Sequence, residues 1–188
     1  MIIMRHDIDY EIKMPEGVTA EVSAEVVTIT GPLGTVKKKV PSQKLSISAS
    51  DGVVYIAAKN PTQREKKLAN TYRAHVIHMI VGVVEGHEYK LKICSGHFPI
   101  KAEIKGNVLE VKNFLGENNP RLLELKEGAD VKIDGEIITV KSPDKEKAGQ
   151  VAADIEHVTR VTNKDRRIFQ DGIYIIEKSK TRPIPMEQ

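Results

Sequence analysis

The sequence contains one cysteine, Cys94, no tryptophan, and only five tyrosines and three phenylalanines. A single cysteine excludes an internal disulfide and the disulfide-stapled class of secreted domains, and it suits a reducing, cytoplasmic compartment. So few aromatic rings leave little scope for the stacking platform on which proteins hold single-stranded nucleic acid. No run approaches the roughly 20 apolar residues of a membrane span. The opening Met1-Ile2-Ile3-Met4-Arg5-His6-Asp7 turns polar too soon for a signal peptide, so no membrane partner is expected.

What is present suffices for folded domains: 40% of the 188 residues are hydrophobic and 29% are charged. The net charge of +3 is small but uneven. Residues 1–59 carry 7 basic and 7 acidic side chains, residues 60–84 carry 4 and 1, residues 85–159 carry 11 and 14, and residues 160–188 carry 7 and 4. Binding a polyanion depends on local cation density more than on total charge, so the two basic stretches matter most.

The chain also repeats itself. Val18-Thr19-Ala20-Glu21-Val22, Val26-Val27-Thr28-Ile29-Thr30 and Pro32-Leu33-Gly34 recur 82 residues later. The matching pieces are Ile100-Lys101-Ala102-Glu103-Ile104, Val108-Leu109-Glu110-Val111-Lys112 and Phe114-Leu115-Gly116. Asp51-Gly52 and Asp134-Gly135 then mark a hairpin turn in each copy. Asn60-Pro61 and Ser142-Pro143 predict the start of a helix in each, with a capping side chain ahead of a proline at the first helical position. Leu68, Tyr72, Val76, Met79, Ile80 and Val83 form the apolar stripe of the first helix; Ala148, Val151, Ala152, Ile155 and Val158 form a narrower one in the second. Each stripe needs a sheet to cover it. The expected fold is therefore α+β, two tandem copies of a small two-layer unit, each a mainly antiparallel sheet packed against one helix. The expected boundaries are 1–84 and 85–188, with residues 1–9 and everything after Val161 outside the repeat.

Beyond the repeat, Ile168-Phe169 and Ile173-Tyr174-Ile175-Ile176 are apolar enough to add strand pairing to the second unit, with Asp171-Gly172 as the turn between them. Lys180-Thr181-Arg182-Pro183-Ile184-Pro185 reads as an extended, mobile tail.

Candidate chemistry is sparse. His75 and His78 have a spacing that could serve one metal, but no third ligand stands near, and helix-surface histidines are the better reading. Cys94 and His97 are a poor zinc half-site, and a Cys-His nucleophile would require the two groups to meet. Asp51 and Asp134 are turn residues beside glycine. Gly31-Pro32-Leu33-Gly34 is a hairpin turn rather than a phosphate loop, and Lys37-Lys38-Lys39 is expected to alternate across a solvated strand. No catalytic residue, metal, cofactor or small-molecule substrate is expected.

The informative segment holds Arg160, Lys164, Arg166, Arg167, Lys178, Lys180 and Arg182 among strand-forming residues. A charge run is usually a solvated face. Here, cations around a turn and along a tail could reach phosphates on separate strands of a folded RNA, and arginine's planar donors grip phosphate in pairs.

One stretch, Asp165-Arg166-Arg167-Ile168-Phe169-Gln170-Asp171-Gly172-Ile173-Tyr174 with Lys178 beyond it, resembles the C-terminal signature of the archaeal and eukaryotic form of the large-subunit ribosomal protein L-six family. Gly86-His87-Glu88-Tyr89-Lys90-Leu91 and Gly96-His97-Phe98-Pro99-Ile100 resemble the opening of that family's second domain. The Tyr-Lys-Gly-Lys-Gly type of motif of the bacterial form is missing, which favours an archaeal type. The resemblance implies a cytoplasmic, non-catalytic ribosomal component with large-subunit rRNA and neighbouring ribosomal proteins as partners. It would lie near the base of the lateral stalk and the factor-binding region, close to the sarcin-ricin loop. Carried over by the signature, the rRNA contacts fall on Arg166, Arg167, Asp171, Gly172, Tyr174 and Lys178. Arg166, Arg167 and Lys178 would neutralise phosphates and Gly172 would allow close backbone approach. Arg160 and Lys164 belong to the same basic stretch, and Lys180 and Arg182 are added from charge alone. Two other readings stand behind this one: a tandem β-rich adaptor that binds a protein through exposed sheet edges, and, last, a hydrolase with a cleft between its domains, for which neither half supplies an obvious set of groups.

Overall fold

A computed structural model of the protein describes residues 7–23, 26–40, 45–50 and 52–179. The chain forms two compact units, the first ending at Gly86 and the second beginning at His87. Each is an α+β unit of two small antiparallel sheets and one helix. No helix among the described residues is long and apolar enough to cross a membrane.

In the first unit, strands β1 (Ile8–Lys13), β6 (Val53–Ala58) and β5 (Ser46–Ser50) make one sheet in the order β1-β6-β5. Strands β2 (Thr19–Ser23), β3 (Val26–Gly31) and β4 (Gly34–Lys39) make the other in the order β2-β3-β4. Helix α1 (Gln63–Val84) covers them. Strand alternation decides what the helix meets: Val27 and Ile29 of β3 and Val54 and Ile56 of β6 are buried, and Tyr72, Val76, Ile80 and Val83 of α1 pack on them. The turn at Pro32-Leu33 brings Gly31 opposite Gly34. A Cβ at Gly31 would lie 2.7 Å from Val83 Cγ2, so only glycine lets the end of α1 sit there.

The second unit repeats the plan. Its larger sheet holds β7 (His87–Cys94), β11 (Asp130–Asp134), β12 (Ile137–Ser142) and β13 (Gly172–Glu177) in the order β11-β12-β7-β13. The smaller sheet holds β8 (Lys101–Lys105), β9 (Val108–Lys112) and β10 (Arg121–Glu124) in the order β10-β9-β8. Leu91, Leu109, Ile138, Val140, Val151, Ile155 and Ile173 fill its core against helix α2 (Lys145–Val158).

Several expectations need correction. Both helices start later than the prolines suggest: the N-caps are Thr62 and Asp144. The Glu65 carboxylate accepts from the Thr62 amide, and Asp144 accepts from the Glu146 amide at 2.9 Å, so capping by these side chains fixes the start and each proline stays outside. Phe114-Leu115-Gly116 is not the counterpart of a tight turn. It is a 3₁₀ turn within a longer β9–β10 connection, with Asn113 and Leu115 at φ 59° and 51°. Arg121 braces this connection by stacking 4.2 Å over Phe114, pairing twice with Glu117, and donating to the Val158 carbonyl at the end of α2 (2.7 Å). The repeat also begins earlier than sequence likeness shows. Strand β1 pairs with β6 as β7 pairs with β12, with Lys13 opposite Val53 and Lys92 opposite Ile137. The hairpin glycines Gly52 and Gly135 have φ of 73° and 59° as that turn requires, whereas Asp51 lies outside the described residues.

Candidate RNA interface

Helix α2 ends at Thr159, which is 3% exposed. Its hydroxyl donates to the Glu156 carbonyl (3.3 Å) and accepts from the Ile173 amide (2.8 Å), pinning the start of β13 to the end of the helix. Glu156 in turn accepts from the Ile175 amide at 3.2 Å. The stretch between them, residues 160–171, is thus a loop closed at its base. Ile168-Phe169 does not form a strand. The Asp165 carbonyl accepts from the amides of Ile168 (3.1 Å) and Phe169 (2.9 Å), and its carboxylate accepts from the Arg167 amide (2.9 Å) and side chain (2.8 Å to Nη2). These bonds wind the segment into a turn and use the groups a strand would have offered.

Asp171 is not a turn residue between strands either. It is 1% exposed, and its carboxylate accepts from the amides of Gly96 and His97 and, at 3.0 Å, from His97 Nδ1. Burial alone pushes this carboxyl up, but the Gly96 amide and the His97 ring and amide outweigh it and hold the group below its ordinary value. Asp171 therefore ties the end of the basic loop to the loop that follows β7. The adjoining His97 ring stacks on Phe169 (5.2 Å between centroids, 29° between planes), and Lys164 Nζ lies 4.7 Å from the Phe169 centroid. Few as the aromatics are, a small stack does exist beside the cations.

The positively charged groups separate into kinds. Arg160, Lys164, Arg166 and Lys178 are exposed and make no ion pair among the described residues. Arg167 is exposed but paired with Asp165, whose carboxyl it holds below the usual range. Gly172 is buried, and a Cβ there would lie 3.3 Å from the Thr159 carbonyl oxygen, so the close approach it permits is internal. Tyr174 is half-buried, and burial pushes its phenol up. Lys180 and Arg182 lie outside the described residues. Two residues are missing from the expected set. Lys92 is exposed directly opposite Tyr174 and without an ion pair among the described residues, whereas its neighbour Lys90 pairs with Glu177 at 3.0 Å. Strand alternation along Tyr89, Leu91 and Ile93 was the signal that could have found it. His97 stood in the Gly-His-Phe-Pro stretch, but only the fold brings it to Asp171.

Cys94, Ser95, Gly96, His97, Arg166 and Tyr174 are among the residues lining a groove of about 760 Å³. No hydrogen bond joins the Cys94 thiol to His97, whose Nδ1 faces Asp171, so the two do not form a nucleophile and base. His75 packs edge-on against Tyr72 at 5.9 Å, and among the described residues no group of three ligating side chains converges.

Fold and site together define a duplicated α+β scaffold whose second copy carries a basic loop pinned at its base and by Asp171. The chain belongs to the ribosomal protein L6 family: that family's model matches residues 14–86 and 98–172, one stretch in each unit. It is 41% identical over 169 residues to the large ribosomal subunit protein uL6 of Methanococcus vannielii, covering 90% of this chain and 93% of the relative. It is 40% identical over 168 residues to that of Halobacterium salinarum (89% and 94%) and 38% over 176 residues to that of Methanosarcina mazei (94% and 100%).

Proposed function

We propose that the protein is a constituent of the large ribosomal subunit and binds large-subunit rRNA through residues 160–178 of its second unit. The observation that carries this reading is the anchoring of an exposed basic loop by a buried carboxylate, Asp171, which is spent entirely on the protein's own amides and imidazole. Preorganised cations bind phosphate at less entropic cost than cations on a floppy segment. Arg160, Arg166, Lys178 and Lys92 neutralise phosphates. Arg167 contributes less, because Asp165 already meets its charge. Asp171, Gly172 and Tyr174 shape the loop, and Lys180 and Arg182 add positive charge. The relatives' names support a place in the large ribosomal subunit, and the resemblance of the signature supports one near the base of the lateral stalk and the factor-binding region, beside neighbouring large-subunit proteins in the cytoplasm.

The adaptor reading is weakened by one feature. The outward amides of Ile173 and Ile175 on edge strand β13 are already taken by Thr159 and Glu156, so that edge has little to offer an added strand. A tagged chain expressed in an archaeal host should co-sediment with large subunits and remain through a moderate-salt wash. Recovery only in the ribosome-free fraction would refute the proposal.

A further inference from the structure

The groove between the end of β7 and the basic loop is built for more than phosphate. Its volume of about 760 Å³ falls within the range of roughly 300–1,000 Å³ typical of sites that enclose a small ligand. Ile168, 63% exposed, lines the groove from a turn fastened by hydrogen bonds to Asp165. A branched apolar side chain left largely in water beside two arginines is costly to solvate. The His97 ring lines the same groove and is braced by the Phe169 stack and by Asp171. Because a carboxylate can only accept, His97 Nδ1 carries a proton, and Nε2 is the ring atom left to meet a ligand. Arg166 and Arg167 also line the groove.

Phosphates alone would call for the arginines but not for the isoleucine or the braced imidazole. A paired base keeps its faces inside its own helix, whereas an unpaired one offers an apolar face, a hydrogen-bonding edge and an adjoining phosphate at once. We infer that this groove holds one unpaired nucleotide of the bound RNA, its base against Ile168 and His97 and its phosphate chiefly on Arg166. This deepens the reading proposed above and rests on it.

Cys94, the only cysteine of the chain, lines the same groove and is partly exposed, which makes it a reporter. The full chain is bound to deproteinised large-subunit rRNA of Methanococcus vannielii, and the rate of Cys94 alkylation by N-ethylmaleimide is followed beside chemical probing of the RNA. At saturation alkylation should slow strongly, and one unpaired nucleotide should lose its reactivity. Ile168→Ser, which changes an exposed side chain and no charge, should restore that reactivity and weaken binding about tenfold with the salt dependence unchanged. Alkylation at the free-protein rate within a bound complex overturns the inference, as does protection of Cys94 with no unpaired nucleotide shielded; either leaves RNA binding standing. Failure to bind the rRNA at all overturns the reading beneath it.

Discussion

The two units share a plan yet differ at one sheet edge. Among the described residues, β1 is an edge strand in the first; in the second its counterpart β7 is internal, because β13 pairs along its free side. That one added strand makes the basic loop possible. It returns the chain from the end of α2 to β7, and the residues between are pinned at Thr159, Asp165 and Asp171. Among the described residues, the first unit has no strand that returns from its helix in this way. Duplication thus supplies two similar scaffolds, and strand β13 gives one of them a pinned basic loop.

The comparison is broken most strongly by removing the added strand's grip. Ile173 is fully buried in the second core, and Ile173→Ala should cost that unit about 2–5 kcal/mol by lost burial and the cavity left behind. Hydrogen exchange resolved by unit should show protection falling in residues 87–179 and holding in α1. Equal loss in both units would mean that they fold as one.

A smaller effect is expected at the anchor. Asp171→Asn keeps the shape but turns an accepting oxygen into a donor among donors, and should loosen residues 95–97 at a cost of about 1–3 kcal/mol. The same group gives a pH test. Its folded pKa lies below the unfolded value of about 3.9. Its stabilisation is therefore complete above that value and is lost as pH falls through the lowered folded pKa. Urea titrations from pH 5 down to pH 2 should show the parent's advantage over Asp171→Asn shrinking; a constant gap would exclude the carboxylate as the anchor.

How much of this was legible in the sequence follows the range of the forces involved. The duplication, the two apolar helix faces and the basic segment are local or periodic, and all could be read. The pairing of β1 was hidden because Tyr10-Glu11-Ile12-Lys13 matches Tyr89-Lys90-Leu91-Lys92 at an offset of 79 rather than 82. The part played by Asp171 was hidden for another reason. A carboxylate beside glycine is explained equally well by a turn, and nothing local reveals amides 75 residues away. Ile168-Phe169 has strand composition, but Asp165 captures its amides first.

Next in size is the contrast within the loop itself. Arg166→Ala should lower the slope of log affinity against log salt by about 1, while Arg167→Ala should lower it by less, since Asp165 already compensates that charge. Filter binding to large-subunit rRNA across a salt series measures both. Equal slopes for the two variants would show that the Asp165 pairing does not persist in the complex.

The smallest effect is expected in the first unit, and it decides whether the copies divide the work. Arg64 and Lys67 are exposed near the start of α1, within the other stretch where cations outnumber acids. Placed at the positive end of a helix they gain nothing from its dipole, so their presence there calls for a reason outside the helix or for none. If binding belongs to the loop that β13 creates, replacing both by alanine should leave affinity and salt slope unchanged and raise helix stability by a few tenths of a kcal/mol. A slope reduced as much as by Arg166→Ala would show that the first scaffold meets the RNA too, and that the extra strand gave the second unit a better site rather than the only one.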